Sequence, residues 1–237
     1  MQEPRIAVLN AAHEDRNTTR NFRRELEGSL AEFSVTDGEL PEGFGFDAVA
    51  VSGSRSSVYD EEPWIEETKA WTREAIDRGL PCLGICWGHQ LLADVLGGEV
   101  RPMGVYEVGY SEIDRLGDSR LLSGLEERFL SFTSHEDAVV ELPPGATPIA
   151  ENEYSNHGFR KDRVFGVQFH PEYDRRTARE LVVRKELSEE RRRELIAEIT
   201  AENYQRACET KRLFANFCEY VRELDATAAG GESNVRA

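Results

Sequence analysis

The sequence predicts an α/β protein in which helices flank a mainly parallel central sheet. Two patterns carry this prediction. Through the first hundred residues, short apolar runs alternate with amphipathic stretches, which is the pattern of βαβ units. Residues 174–184 and 188–224 are charged and helical in period, so we expect a C-terminal helical extension that covers the sheet.

The first half of the chain supplies the parallel strands and their helices. The helix after the third strand is the best marked, because Pro63 stands in its first turn and Gly79 ends it. The elements expected in this half are strands at 5–10, 33–36, 46–53 and 80–85 and helices at 16–31 and 63–78.

From about residue 99 to residue 170 the pattern changes to short alternating strands separated by glycine and proline turns. This part is predicted to be antiparallel. We expect one domain over residues 1–224, because the length suits a single core. The tail, residues 225–237, is small and polar, and we expect it to be disordered.

The composition is strongly acidic. Asp and Glu total 45 against 29 Lys and Arg, for a formal net charge of -16, which disfavours nucleic acid as a partner. Arginine supplies nearly all of the basic residues, and an acidic, lysine-poor surface suits a protein that works in concentrated salt. A halophilic source is therefore a hypothesis, which equal stability and activity in dilute and molar salt would contradict.

The chain shows no targeting or membrane signal. Its first residues, MQEPRIAVLN, lack a basic stretch followed by an apolar core, and no run of about 18 apolar residues occurs. We therefore expect a cytoplasmic protein with no membrane span. The cysteines Cys82, Cys86, Cys208 and Cys218 lack the spacing of zinc sites, so we expect free thiols, no metal and no cofactor.

Residues 80–98, LPCLGICWGHQLLADVLGG, place a cysteine between a buried strand and a helix. Gly84 and Gly88 lie two residues before and two residues after Cys86. A sharp strand-to-helix turn crowds these two positions, which explains glycine at both, and it exposes the sulfur. The N-terminus of the helix favours thiolate, the nucleophilic form. Free cysteine is often a core residue instead, so this interpretation of Cys86 requires a base nearby.

A second buried strand, RVFGVQFHPE, ends at His170 and Glu172. At the carboxyl edge of neighbouring parallel strands, the imidazole can face the thiolate. The carboxylate two residues later can orient the ring and stabilise the imidazolium. Cys86, His170 and Glu172 are therefore the candidate catalytic residues.

Four other histidines compete for the role of base. His135 is the strongest competitor, but only His170 combines a strand end with a carboxylate at a useful spacing. We expect His13 and His157 to be solvated in polar loops, and His89 to point along the helix that follows the cysteine.

The strings CLGICWGHQLLA and VFGVQFHPE, in this order, resemble the two motifs of the class I, triad-type glutamine amidotransferases. The resemblance covers residues 5–172 and is strongest to the glutaminase component of GMP synthase and its stand-alone relatives. It implies a flavodoxin-like α/β fold and a γ-glutamyl thioester on Cys86, with ammonia released from glutamine. His170 would be the general base and acid, and Glu172 its orienter.

The resemblance also implies an oxyanion hole of backbone N–H groups, one at Trp87 and one at Gly53 or Ser54. Such donors are typically worth about 3 to 4 kcal/mol of barrier. The loop that carries the second donor reads SGSRSSVYD, residues 52–60, where GMP synthases usually have Gly-Gly-Pro. The sequence therefore does not determine the geometry of this loop.

Substrate contacts are implied for three further residues. Gln90 matches the residue that contacts glutamine. Ser134 and His135, in FTSHED, match the segment that holds the α-amino and carboxylate groups largely through its backbone. The resemblance thus gives His135 a non-catalytic role.

Three functions remain open. The first is a glutaminase that passes ammonia to a separate synthetase, since no phosphate-binding motif follows a strand in this chain. The second is a stand-alone hydrolase of γ-glutamyl amides, and the third is a non-catalytic partner-binding module. The extension over residues 174–224 could bind a partner, close over the site or complete the core.

Overall fold

The computed structural model describes residues 3–13 and 15–232, in which nine strands and seven α-helices are present. The strands are β1 Arg5–Asn10, β2 Ser29–Ser34, β3 Ala48–Val51, β4 Cys82–Ile85, β5 Glu99–Arg115, β6 Arg128–Glu141, β7 Thr147–Glu151, β8 Asn156–Lys161 and β9 Val164–Val167. The helices are α1 Arg16–Glu25, α2 Pro63–Asp77, α3 Trp87–Val95, α4 Arg175–Arg184, α5 Glu189–Glu198, α6 Ala201–Ala207 and α7 Arg212–Glu232.

All of these strands belong to one sheet in the order β2-β1-β3-β4-β9-β8-β7-β5-β6. The first five strands in this order are parallel, and the others pair antiparallel. The predicted fold class is confirmed. Because β4 and β9 are parallel neighbours, with Ile85 beside Val167, their carboxyl ends meet at the same edge.

Helices cover both faces of the sheet. Successive side chains of a strand point to opposite faces, so the parallel strands are apolar on both sides. On one face, Phe22 of α1 and Phe214 and Phe217 of α7 pack over Ile6 and Val8. On the other face, α2 and α3 pack over the opposite side chains; the members contributed by these helices include Trp64, Ile65, Ala75, Trp87, Leu91 and Leu92.

The C-terminal extension helps to complete this core. Ala178 and Val182 of α4, Leu195 of α5 and Ile199, which follows α5, form a separate apolar cluster with Val108 and Phe132 of the antiparallel part. Helix α7 packs on the parallel part. Among the described residues, no helix combines the length and the apolar character that crossing a membrane requires.

The largest boundary differences in the first half concern α1 and β2; β3 and β4 are shorter than expected by two residues at one or both ends. The helix expected over residues 16–31 ends at Glu25, and β2 begins at Ser29 rather than at Phe33. Gly28 lies between them with φ 153°, and a Cβ at this position would lie 2.4 Å from the Pro4 carbonyl oxygen. Leu30 fits a helical period equally well, but parallel pairing of β2 with β1 places it in a strand.

The helical extension is also divided differently. The stretch predicted as one helix over 188–224 is broken near Thr200, whose side chain caps α6 by accepting from the Asn203 N–H. In the opposite sense, α7 continues through Asp225 to Glu232, where we expected disorder. Extending an existing helix avoids the cost of nucleation, and the alanines of DATAA favour it. Residues 233–237 of the predicted tail lie outside the described residues.

Candidate active site

Cys86 occupies a strained turn between β4 and α3. Its backbone has φ 54° and ψ -106°, a left-handed conformation that typically costs a non-glycine residue about 1 to 3 kcal/mol. The Cys86 N–H donates to the Val167 carbonyl oxygen at 2.8 Å, and its carbonyl accepts from Gln90 N–H at 3.1 Å. The turn is thus bonded both to β9 and to the helix that it starts.

Close backbone packing explains the two flanking glycines. A Cβ at Gly84 would lie 2.3 Å from the Gly88 carbonyl oxygen, and a Cβ at Gly88 would lie 2.3 Å from the Val51 carbonyl oxygen. Both contacts are with backbone atoms, which cannot rotate away. The Gly-x-Cys-x-Gly pattern therefore has the steric cause that the sequence indicated.

His170 and Glu172 lie beside the cysteine, at the adjoining end of β9. The His170 N–H donates to the Phe132 carbonyl oxygen at 2.8 Å, and the ring Nδ1 lies 2.9 Å from Glu172 Oε1. The side chains of His170 and Cys86 both lie close to Gly53. A Cβ at Gly53 would be 3.2 Å from His170 Cε1 and 3.6 Å from Cys86 Cβ. The structure brings the three candidate catalytic residues together, and all three are at most 5% exposed.

Charges around His170 favour its protonated form. Burial of the ring lowers the pKa of His170, but the Cys86 thiolate and the Glu172 carboxylate, by charge and by hydrogen bonding, raise it to about 10 from the ordinary 6.5. The ring is also stacked on Tyr173, with centroids 4.2 Å apart. Tyr173 was missed in the sequence, where only its place after His170-Pro171-Glu172 could have drawn attention to it.

The predicted oxyanion residues surround the sulfur. Gly53 and Ser54 follow β3, and Trp87 is the first residue of α3, where N–H groups have no acceptor within the helix. The Trp87 ring is buried and packs against Trp64, with centroids 5.3 Å apart. This arrangement can present backbone donors to an oxyanion on a carbon bonded to sulfur.

Gln90 and Ser134 lie on the other side of the sulfur. The Gln90 amide nitrogen donates to the Asp137 carbonyl oxygen at 3.0 Å and to Gln168 Oε1 at 2.9 Å. The Ser134 carbonyl oxygen is 3.8 Å from Cys86 Sγ, and its hydroxyl is 2.7 Å from the Tyr106 hydroxyl. These predicted contact residues therefore meet at one site with the cysteine.

Two cavities meet at Cys86. One, of about 300 Å³, is lined by His170, Glu172 and Tyr173, with Leu181, Arg184 and Lys185 from the extension as a further wall. The other, of about 670 Å³, is lined by Trp87, Gln90, Ser134, His135 and Asp137, among other residues. The extension thus both completes the core and closes one side of the site.

His135 and His157 lie in a buried cluster with Glu107, and His135 also lines the larger cavity beside the cysteine. The expectation for His157 is wrong, because it is fully buried rather than solvated. Glu107 was not singled out in the sequence, and no local spacing links it to either histidine. One ligand atom from each of the three lies within 4.8 Å of the others, a group that could hold a metal ion. His89 is also buried, whereas His13 is half-buried and its ring lies 2.9 Å from the Ser56 hydroxyl.

Comparison with known proteins gives a family match over most of the chain. The model of the family described as glutamine amidotransferase class-I matches residues 17–189. A glutamine-hydrolysing GMP synthase of Thermomicrobium roseum is 39% identical over 125 residues, which cover 52% of this chain and 23% of that protein. One of Helicobacter acinonychis is 37% identical over 123 residues, with the same coverage. The chain therefore spans less than a third of the length of these relatives.

Solved structures show the same fold. A glutamine amidotransferase of Thermotoga maritima has a TM-score of 0.79 at 24% identity, covering 92% of this chain and 100% of that one. A putative GMP synthase component from Thermoplasma acidophilum has a TM-score of 0.68 at 20% identity, covering 95% and 99%. Because both identities are below 25%, these structures show that the fold is similar and do not by themselves indicate a shared activity.

Proposed function

The chain belongs to the glutamine amidotransferase class I family, and on that premise we propose that it hydrolyses the side-chain amide of glutamine with a Cys86-His170-Glu172 triad. The observation that carries the proposal is the contact of these three side chains at the β4 and β9 ends, with the cysteine on a strained strand-to-helix turn.

In the proposed first half-reaction, the Cys86 thiolate attacks the side-chain carbonyl carbon of glutamine. The carbonyl oxygen becomes an oxyanion, which the N–H groups of Trp87 and of Gly53 or Ser54 stabilise. His170 then donates its proton to the nitrogen as the carbon–nitrogen bond breaks. Ammonia leaves, and a γ-glutamyl thioester remains on the sulfur.

In the second half-reaction, His170 is neutral and takes a proton from water as the water oxygen attacks the thioester. The carbon–sulfur bond breaks, glutamate leaves, and the thiolate and imidazolium are restored. The balance is glutamine plus water to glutamate plus ammonia. Gln90, Ser134 and His135 line the larger cavity, which suits the γ-glutamyl part of the substrate.

The proposed role of Glu172 predicts a change in pH dependence. The carboxylate helps to raise the pKa of His170 to about 10, so the imidazolium persists above neutral pH and is lost as pH rises through that value. Glu172→Gln removes this charge, so the alkaline limb of kcat/KM should move to lower pH. The rate at pH 7 should fall by about 100-fold or more, because the ring also loses its orienting acceptor.

The check is a pH profile of glutamate release. The matched control is Glu190→Gln, an exposed glutamate of α5, which should leave the profile unchanged. An alkaline limb at the same pH in Glu172→Gln and wild type would contradict the assigned role.

We propose a synthetase as the ammonia acceptor, with GMP synthesis as the first candidate, because the matched relatives are glutamine-hydrolysing GMP synthases. The test measures glutamate release from glutamine with and without a synthetase that aminates a nucleotide. Stimulation is expected. A preference for γ-glutamyl amines over glutamine would favour the stand-alone hydrolase, and no turnover of either would favour a non-catalytic binding module.

A further inference from the structure

A buried cluster of titratable groups lies beside the larger cavity. Glu107 of β5 and His135 of β6 are direct partners in the antiparallel register, and His157 comes from β8. Glu107 Oε2 lies 2.8 Å from His135 Nε2 and 3.1 Å from His157 Nε2, while Oε1 accepts from the Asn152 amide at 2.7 Å. Glu107, His135 and His157 are at most 5% exposed.

The hydrogen-bond partners determine where the protons of this cluster are. Burial raises the pKa of Glu107, but hydrogen bonds from His135 and His157 outweigh it and hold the pKa well below its usual range, so the carboxylate is ionised. His135 Nδ1 lies 2.8 Å from the Asp137 carbonyl oxygen, which can only accept. Both ring nitrogens of His135 therefore face acceptors.

The second histidine differs. His157 Nε2 donates to Glu107, while its Nδ1 is buried without a partner. Burial lowers the pKa of His157 more than the adjacent carboxylate raises it, so this ring is neutral. Glu107 is thus the carboxylate of the cluster, and His135 is the ring whose two nitrogens both face acceptors.

The separations suit protons better than a metal ion. Ligand atoms bound to zinc at 2.0–2.1 Å in a tetrahedral site would lie about 3.3 Å apart. The 2.8 Å and 3.1 Å separations between Glu107 Oε2 and the two imidazoles are those of hydrogen bonds.

The His135 ring is linked to the substrate side of the site. The Asp137 carbonyl oxygen accepts from His135 and also from the Gln90 amide nitrogen. Because the second amide hydrogen of Gln90 goes to Gln168, both donors are used, and the Gln90 carbonyl oxygen is left to accept from a ligand in the cavity that Gln90 lines. Ser134, next to His135, places its carbonyl oxygen beside Cys86 Sγ.

We propose that His135 carries a proton on both ring nitrogens and forms with Glu107 an ion pair that positions glutamine, because it holds the Asp137 carbonyl and, through it, the Gln90 amide in the orientation that binds substrate. This inference rests on the proposed function. His135 and Glu107 are positioning residues, because neither needs to touch the reacting atoms. The titratable groups that face the His135 ring are Glu107 from β5 and His157 from β8, whose ring centroid lies 5.4 Å from that of His135. His89 from α3 is coupled to the cluster electrostatically, but burial lowers the pKa of His89 to about 3, so this ring is neutral.

The test replaces Glu107 by glutamine, which keeps the size and an acceptor but removes the charge that holds the second proton on His135. The KM for glutamine should rise about tenfold or more, while kcat should stay within about threefold, since the triad is untouched. The control is Glu112→Gln on the same strand, where the carboxylate is exposed and pairs with Arg206, and its KM should not change.

A second measurement uses the unmodified protein and does not depend on activity or on the stability of a variant. Nitrogen-15 NMR of the histidine side chains at neutral pH should show a hydrogen on both ring nitrogens of His135 and on only one of His157. A His135 ring with one bare nitrogen, or one equivalent of bound metal by elemental mass analysis, would overturn the proposal. If instead the proposed glutaminase activity is wrong, wild type will release no glutamate, but the NMR spectrum will still show the hydrogen on both ring nitrogens of His135.

Discussion

Replacing Cys86 by serine should lower the rate of glutamate release by about four orders of magnitude or more. The hydroxyl is nearly the same size as the thiol, so the turn and its hydrogen bonds to Val167 and Gln90 should persist. What is lost is the anionic nucleophile, because a serine hydroxyl does not share a stable charged pair with an imidazolium. The measurement is the steady-state release of glutamate at saturating glutamine.

The matched control is Cys208→Ser, a half-buried cysteine outside the site, which should keep its activity. Mass spectrometry of wild type quenched during turnover should find the γ-glutamyl group on the peptide that contains Cys86. A Cys86→Ser variant with a tenth or more of the wild-type rate would contradict the nucleophile assignment.

Gly88→Ala should destabilise the protein by about 3 kcal/mol or more, at the upper end of what overpacking usually costs. The new Cβ would lie 2.3 Å from the Val51 carbonyl oxygen and 2.9 Å from its carbonyl carbon. Relief requires α3 to move away from β3, because the obstructing atoms are backbone. The same movement would shift Cys86 at the start of the helix, so activity should fall with stability.

Urea unfolding followed by circular dichroism gives the free energy of unfolding of both proteins. Gly43→Ala is the control, because a Cβ there meets no atom within 4 Å and φ is not in the left-handed region. Its effect should stay within about 0.5 kcal/mol. A loss below about 1 kcal/mol in Gly88→Ala would show that close approach is not the reason for glycine at this position.

The parts of the site that could be predicted from the sequence depend on short-range geometry. Gly84 and Gly88 lie two residues on either side of Cys86, and Glu172 lies two residues from His170. Spacings of this kind act within a single turn or strand end, so local steric rules apply to them directly. Bringing the two segments together required one further expectation, that β4 and β9 are parallel neighbours, and the sheet order agrees with it.

The parts that could not be predicted depend on which strands pair and in what register. Glu107 and His135 are 28 residues apart, and Glu107 and His157 are 50 apart, yet all three meet inside one sheet. His157 was expected to be solvated because its neighbours in the chain are polar. Likewise, Leu30 fits a helix by period and enters a strand because β1 is available to pair with it.

The sequence by itself determined the α/β class, the strained turn at Cys86 and the adjacency of His170 and Glu172, because alternation, glycine placement and short spacing act within a few residues. Only the tertiary structure decided that Glu107, His135 and His157 meet in one buried cluster, that Tyr173 stacks on His170, and that Leu181, Arg184 and Lys185 line the cavity. The physical reason is that these contacts exist only after distant strands pair and helices pack. The periodicity of the sequence indicates where strands lie, but it does not indicate which strands pair or in what register.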